Sequence, residues 1–104
     1  MDAMLVITNM PDRDRAEALA RKLVDSRLAA CVNIMAECDS IYVWEGKTES
    51  AREVPLLIKT QSRHYRSVEA AILDDHPYEL PEIVAVSFSD GLPEYLRWIA
   101  TQTL

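Results

Sequence analysis

The chain has 104 residues, 49% of them hydrophobic and 27% charged, with a formal net charge of −6 at pH 7. This length and composition are typical of one soluble globular domain covering residues 1–104. An acidic chain without a basic run argues against a nucleic-acid partner, because that binding depends on lysine and arginine neutralising phosphates. Two glycines and the lack of a glycine-rich motif also argue against a phosphate-cradling loop.

Nothing in the sequence predicts a membrane or export segment. The first apolar run ends after Ile7 and is too short, with too little basic charge before it, for a signal peptide. No stretch approaches the ~20 apolar residues of a membrane span. We therefore expect a cytoplasmic protein without a membrane partner.

The first two elements are predicted to be a strand and a helix. The residues Met4–Ile7 favour a strand buried on both faces, and Pro11 and Asp12 are typical of the start of a helix. A helical apolar spacing then predicts a helix from about Asp12 to Asp25. The residues with this spacing are Ala16, Leu19, Ala20, Leu23 and Val24.

A long hairpin is predicted next. Apolar residues return over 28–34, and the β-branched and aromatic run 41–44 is strongly strand-like, so we expect one long strand with a bend or bulge between them. Residues 45–50 are polar and predict the turn, and the return strand is expected over 52–60. Pro55 cannot donate to a ladder, so it must lie at an unpaired position or a bulge.

The two cysteines are predicted to be free, buried thiols. Cys31 and Cys38 lie in extended chain, where seven residues at ~3.3 Å each separate them by about 23 Å, beyond the reach of a disulfide. Their odd spacing also directs them to opposite faces.

A second helix is predicted with Ser62 as its N-cap, ending near Asp75 because Pro77 follows. We expect His64, in its first turn, to be a surface histidine. A strand over 83–88 and a short helix starting at Pro93 complete the pattern.

The order of these elements predicts an α+β domain with the ferredoxin-like split β-α-β arrangement, βαββαβ plus a C-terminal helix. Right-handed crossovers place both main helices on one face of the antiparallel sheet. The other face is left largely uncovered, and the aromatic residues Tyr42 and Trp44 near it favour an oligomer.

The segment 76–83 is a stiff loop rich in functional side chains. Pro77 and Pro81 fix two φ angles and remove two donors, so the segment is neither helix nor central strand. One interpretation is a rigid platform for a binding site that uses His76, Tyr78, Glu79 and Glu82. The other is a structural turn between a helix and a core strand. The residues alone leave both open.

Several stretches together give the chain a resemblance to the CutA-type divalent-cation tolerance family. The stretches are Tyr42–Lys47, Glu53 with Leu57–Thr60, His76–Ile83 and Tyr95–Ile99, with a further similarity at Leu28–Asn33. The resemblance implies a ferredoxin-like fold and a tight homotrimer in which the long hairpins join the sheets edge to edge. It also implies an architecture like that of the PII signalling proteins, and a link to divalent metals, copper above all.

The resemblance also implies candidate metal ligands. In some bacterial members, copper binding is associated with a cysteine late in the first strand and with two adjacent histidines. In this chain His76 matches one histidine, while Asp75 and Thr8 occupy the other two positions. A histidine with carboxylates suits divalent copper, nickel or zinc, so we name His76 and Asp75 as candidate ligands.

Three functions remain as hypotheses. The first is a trimeric, PII-like binding or signalling protein that holds a divalent cation or small ligand in inter-subunit clefts. This site is expected to use His76, Tyr78, Glu79 and Glu82, together with residues donated by a neighbouring subunit, Trp44 or Lys59. The second is an assembly module in which the His76 loop is structural, with a related regulatory domain of the ACT type as a variant. The third is an enzyme with His76 as general base, oriented by Glu79 or Asp75, although no nucleophile or cofactor motif accompanies it; we expect no enzyme.

Overall fold

The computed structural model describes residues 2–104, which form five strands, three α-helices and a short 3-10 turn at Ser62–His64. The elements are β1 (Ala3–Met10), α1 (Arg13–Asp25), β2 (Cys31–Ile34), β3 (Cys38–Trp44), β4 (Lys47–Gln61), α2 (Tyr65–Asp75), β5 (Ile83–Ser87) and α3 (Pro93–Gln102). The predicted α+β class and order of elements are confirmed.

The strands pair in the order β2-β4-β1-β5, and every pair is antiparallel. This is the ferredoxin-like arrangement expected from the sequence. Strand β3 continues beyond β2 and pairs with the outer part of β4. Between the pairs Ile34–Leu56 and Cys38–Glu53, three residues face two, so the predicted bulge lies at 35–37.

The hairpin of β3 and β4 turns more tightly than the sequence indicated. Glu45 and Gly46 have φ angles of 51° and 79°, and paired strands begin directly on either side of them. Two residues with positive φ form the kind of turn that matches the twist of two strands. The predicted turn over 45–50 was therefore too long, and β4 starts at Lys47 instead of Arg52.

Helices α1 and α2 cover one face of the sheet and form the main core with it. The side chain of Asp12 caps α1 by accepting a hydrogen bond of 2.8 Å from the amide of Arg15. Alternation along β1 directs every second residue toward these helices. The fully buried residues of this core include Val6, Met10, Leu19, Leu23, Leu56, Ile58, Val68 and Ile72.

Helix α3 lies on the opposite face but covers only one end of it. Ile99 packs there with Ala3 and Ala30 in a small second core. Farther along the same face, Val84 and Val86 of β5 are 48% and 53% exposed. This face is therefore left largely uncovered, as expected from the sequence, and an apolar surface remains open to contact.

The second helix begins later than predicted. Ser62 starts the 3-10 turn, and α2 begins at Tyr65 without a side-chain cap. His64 is buried, and its Nε2 is hydrogen-bonded to the main-chain oxygen of Leu104, so the expectation of a surface histidine was wrong. The reason is that the segment after α3 returns over this turn, where the amide of Leu104 donates to the oxygen of Arg27 at 3.0 Å.

Both cysteines are free, as predicted, but they are not buried. Cys31 is half-buried and Cys38 is exposed. Cys38 lies on the projecting hairpin, which makes the molecule elongated, with extents of 45 × 26 × 24 Å. Among residues 2–104, no helix combines the length and the apolar character needed to span a membrane.

Candidate functional site

The loop between α2 and β5 is held in an extended form by its prolines. Helix α2 ends at Asp75, and the backbone of His76 has φ −79° and ψ 129°. This is the conformation expected for a residue that precedes a proline. The loop then runs past Pro81 into β5 at Ile83, so its position is fixed at both ends by regular structure.

The imidazole of His76 joins this loop to the end of β1. The amide of Tyr78 donates to Nδ1 at 3.2 Å, which makes Nδ1 the acceptor nitrogen. The proton must then be on Nε2, which donates to the main-chain oxygen of Asn9 at 2.6 Å. The ring also packs on Tyr78, with ring centroids 4.7 Å apart. His76 is therefore a neutral side chain with both nitrogens engaged by the protein itself.

The other candidate metal ligands have different partners. The carboxylate of Asp75 accepts a hydrogen bond of 3.1 Å from Nζ of Lys22, and this bond is the main reason that the pKa of Lys22 is raised. The hydroxyl of Thr8 is buried and has no hydrogen-bond partner among residues 2–104. It lies on the face of β1 that is covered by the helices, as the alternation with Val6 and Met10 requires.

These contacts do not fit a copper ion held by His76 and Asp75. Neither nitrogen of His76 has a free lone pair in this hydrogen-bonded state, and a metal ligand or a general base needs one. Within residues 2–104, no group of three or more histidine, cysteine, aspartate or glutamate side chains is placed to hold a metal ion. Copper binding by these residues remains a prediction.

An open groove of about 1020 Å³ lies between the hairpin and the loop. We call it the hairpin–loop groove. Its lining residues are Asn9, Ser40–Trp44, Glu53 and Pro77–Val84. A volume of this order is enough for a small organic ligand.

The structure brings four of the predicted ligand residues into this groove. Trp44 comes from β3, while Tyr78, Glu79 and Glu82 come from the loop. Glu82 is oriented by the side-chain amide of Asn9, which donates to it at 3.0 Å. Lys59 does not line the groove: its Nζ lies 5.7 Å from the centroid of the Tyr95 ring.

Glu53 is a groove residue that the sequence analysis named in the family resemblance but not among the ligand residues. Only 8% of it is exposed, and it interacts with the phenol of Tyr78 but forms no ion pair with residues 2–104. Its signal in the sequence is a lone carboxylate directly before the apolar run of β4, and that signal alone does not distinguish a buried residue from an exposed one. Its burial depends on the loop packing against the hairpin.

The phenol of Tyr78 is partly buried beside Glu53. Burial raises the pKa of Tyr78, and the negative charge of Glu53 and a side-chain hydrogen bond to it raise the pKa further, while Arg15 opposes the shift. The phenol therefore stays neutral and can donate a hydrogen bond over a wide pH range. The groove offers carboxylates, aromatic faces and a neutral hydroxyl, which are groups that can bind a small ligand.

Comparison with known proteins agrees with the resemblance noted in the sequence. The family model described as CutA1 divalent ion tolerance protein matches residues 4–102. A curated protein of Thermus thermophilus, called divalent-cation tolerance protein CutA, is 39% identical over 103 residues, which is 99% of both chains.

Solved structures agree at the level of the fold. CutA from Xylella fastidiosa superimposes with a TM-score of 0.94 at 45% identity and covers 98% of each chain. The protein described as periplasmic divalent cation tolerance protein CutA from Archaeoglobus fulgidus superimposes with a TM-score of 0.93 at 35% identity, covering 96% of this chain and 97% of its own.

Proposed function

Because the chain belongs to the CutA1 divalent ion tolerance protein family, we propose that it is a non-catalytic, homotrimeric binding protein that holds a small ligand in the hairpin–loop groove. The observation that carries this proposal is the groove itself. It joins a rigid loop to a projecting hairpin and gathers polar and aromatic groups that no internal contact fully uses.

The uncovered apolar surfaces support an assembly of copies. On the hairpin, Ile41 and Val43 are 74% and 71% exposed, and on the sheet Val84 and Val86 are about half exposed. A monomer rarely exposes this much large apolar side-chain surface. A second copy laid against it would remove this surface from water and add a wall to the groove. The number three comes from the family resemblance, which also implies a signalling role like that of PII proteins.

The family description supports a link with divalent cations, but not through a preformed ligand set at His76. A metal bond there would require His76 to give up its hydrogen bond to Asn9 or to the amide of Tyr78. We therefore propose that the cation relation, copper included, is either indirect or uses residues of the groove. We also propose a cytoplasmic location, which cell fractionation with an antibody to this chain would test.

The assembly module without a ligand is the second candidate. The observation that favours it is the double hydrogen bonding of His76, which is sufficient to explain this histidine as a structural residue. In this case the groove would be filled by side chains of a neighbouring copy, and titration with small molecules would give no signal.

Native mass spectrometry of protein purified without added metal separates the candidates. The binding proposal expects a species of three times 11.8 kDa, about 35 kDa, that carries additional mass from a retained small ligand or ion. The assembly module expects the same species with no additional mass under any condition. A single 11.8 kDa species would contradict both.

A further inference from the structure

Building on the ligand-binding role proposed above, we propose that the hairpin–loop groove takes an organic cation, a compound with an ammonium or guanidinium group on an apolar stem. Three of its lining residues are the carboxylates Glu53, Glu79 and Glu82. Among the described lining residues there is no lysine, arginine or histidine to balance them. An anionic ligand such as a nucleotide would meet like charges on every side.

Glu53 is the anchor of the site. It is 92% removed from solvent and forms no ion pair within 4.0 Å among residues 2–104. The carboxylate interacts with the phenol of Tyr78, a neutral group, and raises its pKa through its negative charge and a side-chain hydrogen bond. Arg15, the nearby cation, pairs instead with Asp12 at 3.5 Å. A buried carboxylate without a positively charged partner is unfavourable, so a ligand cation that reaches it recovers part of this free energy.

The register of the hairpin places aromatic rings beside this carboxylate. Glu53 is opposite Cys38, so it shares a face of the hairpin with every second residue of β3 from Cys38 onward. Two of those residues are Tyr42 and Trp44, and Tyr78 faces them from the loop. A cation held over an aromatic face and next to a carboxylate is a favourable arrangement, and the aromatic rings also accommodate the apolar stem.

An inorganic divalent ion fits this groove less well. A metal ion needs several ligand atoms at about 2.0–2.6 Å from one point, and no such group of histidine, cysteine, aspartate or glutamate occurs within residues 2–104. One oxygen of Glu82 is already used by the amide of Asn9. Rings and apolar side chains form most of the remaining lining, and these do not coordinate metal ions but do contact an organic stem.

The test is a calorimetric and fluorescence titration of the intact protein with agmatine, which carries a guanidinium and an ammonium group on a butyl stem. The chain has two tryptophans, so Trp98→Phe leaves Trp44 as the reporter inside the groove. The parallel probes are butyrate, ATP and Cu²⁺ alone. We expect agmatine to bind and to change the emission of Trp44, and we expect about 0.5 M NaCl to weaken it because added salt screens the attraction.

The decisive variants are Glu53→Gln and its matched control Glu49→Gln. Glu49 lies on the same face of β4, opposite Tyr42, but does not line the groove. Glu53→Gln keeps the size of the side chain and removes its charge, so the affinity for agmatine is expected to fall at least tenfold. The Glu49→Gln variant is expected to stay within about twofold of wild type because exposed charges in water contribute little.

Equal affinity in wild type and Glu53→Gln would overturn the inference. Binding of ATP or butyrate in preference to agmatine would overturn the ligand class while leaving the groove as a ligand site. A Trp44 response to Cu²⁺ that depends on Glu53, without any response to agmatine, would assign the groove to an inorganic ion. An intact assembly that binds none of the probes would also refute the cation, whereas the proposed function is tested separately, by the mass and the retained ligand of the native assembly.

Discussion

The replacement of His76 by alanine distinguishes a structural histidine from a metal ligand. The change removes the bond from Nε2 to the oxygen of Asn9 and the bond that Nδ1 accepts from the amide of Tyr78. It also removes the packing of the imidazole on the Tyr78 ring. Each of these contacts is made by half-buried groups, so water can replace only part of what is lost.

The expected loss of stability follows from these contacts. A typical internal hydrogen bond contributes about 0.5–1.5 kcal/mol net, and a buried group left without a partner costs about 1–3 kcal/mol. Two lost bonds at the net value amount to about 1–3 kcal/mol. Because Asn9 and Tyr78 are half-buried and water can reach them, we expect His76→Ala to lower the free energy of unfolding by about this amount.

The assay is urea unfolding of wild type and variant at one fixed protein concentration, since the stability of an assembly depends on concentration. Copper affinity is measured on the same samples by calorimetry. With only two histidines in the chain, His64→Ala reports any copper bound by the remaining His76. A stability loss below about 0.5 kcal/mol, together with a copper affinity that falls tenfold in His76→Ala alone, would refute the structural interpretation.

Further expectations concern the assembly, the ionisation of tyrosine and the hairpin turn. Val86→Asp places a charge on the exposed sheet face, so it should leave the fold of a single chain intact and dissociate the proposed trimer, as seen by size-exclusion chromatography; an unchanged elution volume would contradict this. The pKa of Tyr78 is raised in the folded state, first by burial and then by Glu53, so folding favours the neutral phenol. The stability that the neutral phenol contributes is complete below the ordinary pKa of tyrosine and is lost as the pH rises through the raised pKa of the folded state. Ultraviolet titration of Tyr78→Phe should show one late-titrating tyrosine fewer than wild type, and an identical curve would count against the buried site. In Gly46→Ala the added methyl group meets no atom within 4 Å, so only the strain of an alanine at φ 79° should act. The free energy of unfolding, measured by urea unfolding, should fall by about 1 kcal/mol; no loss would mean that the turn relaxes.

Local patterns in the sequence were enough to predict most of the fold. The apolar spacing of Leu19 and Leu23 and the cap at Asp12 fixed α1, because these interactions lie within a few residues of one another. Pro77 and Pro81 likewise predicted an extended loop from backbone sterics alone. The length of the hairpin was underestimated because Glu45 adopts a positive φ, which is uncommon outside glycine and is not encoded by residue type.

The site was less predictable because its contacts join distant parts of the chain. The two partners of His76 became known only when β1 was placed beside the loop, since Asn9 and His76 are 67 residues apart. The burial of Glu53 has the same origin. The sequence predicted Trp44, Tyr78, Glu79 and Glu82 as ligand residues from their chemistry, and the fold brings them to one groove. The pairing of Lys59 with Tyr95 depended on where α3 packs.

Sedimentation equilibrium of the untagged chain at low micromolar concentration tests the central claim most directly. The apolar sheet face and the hairpin are expected to be covered from water only in an assembly. We therefore predict one species of three times 11.8 kDa that does not dissociate on dilution. A well-behaved 11.8 kDa particle at the same concentration would show that one copy tolerates these surfaces in water, and the proposed shared groove would be contradicted.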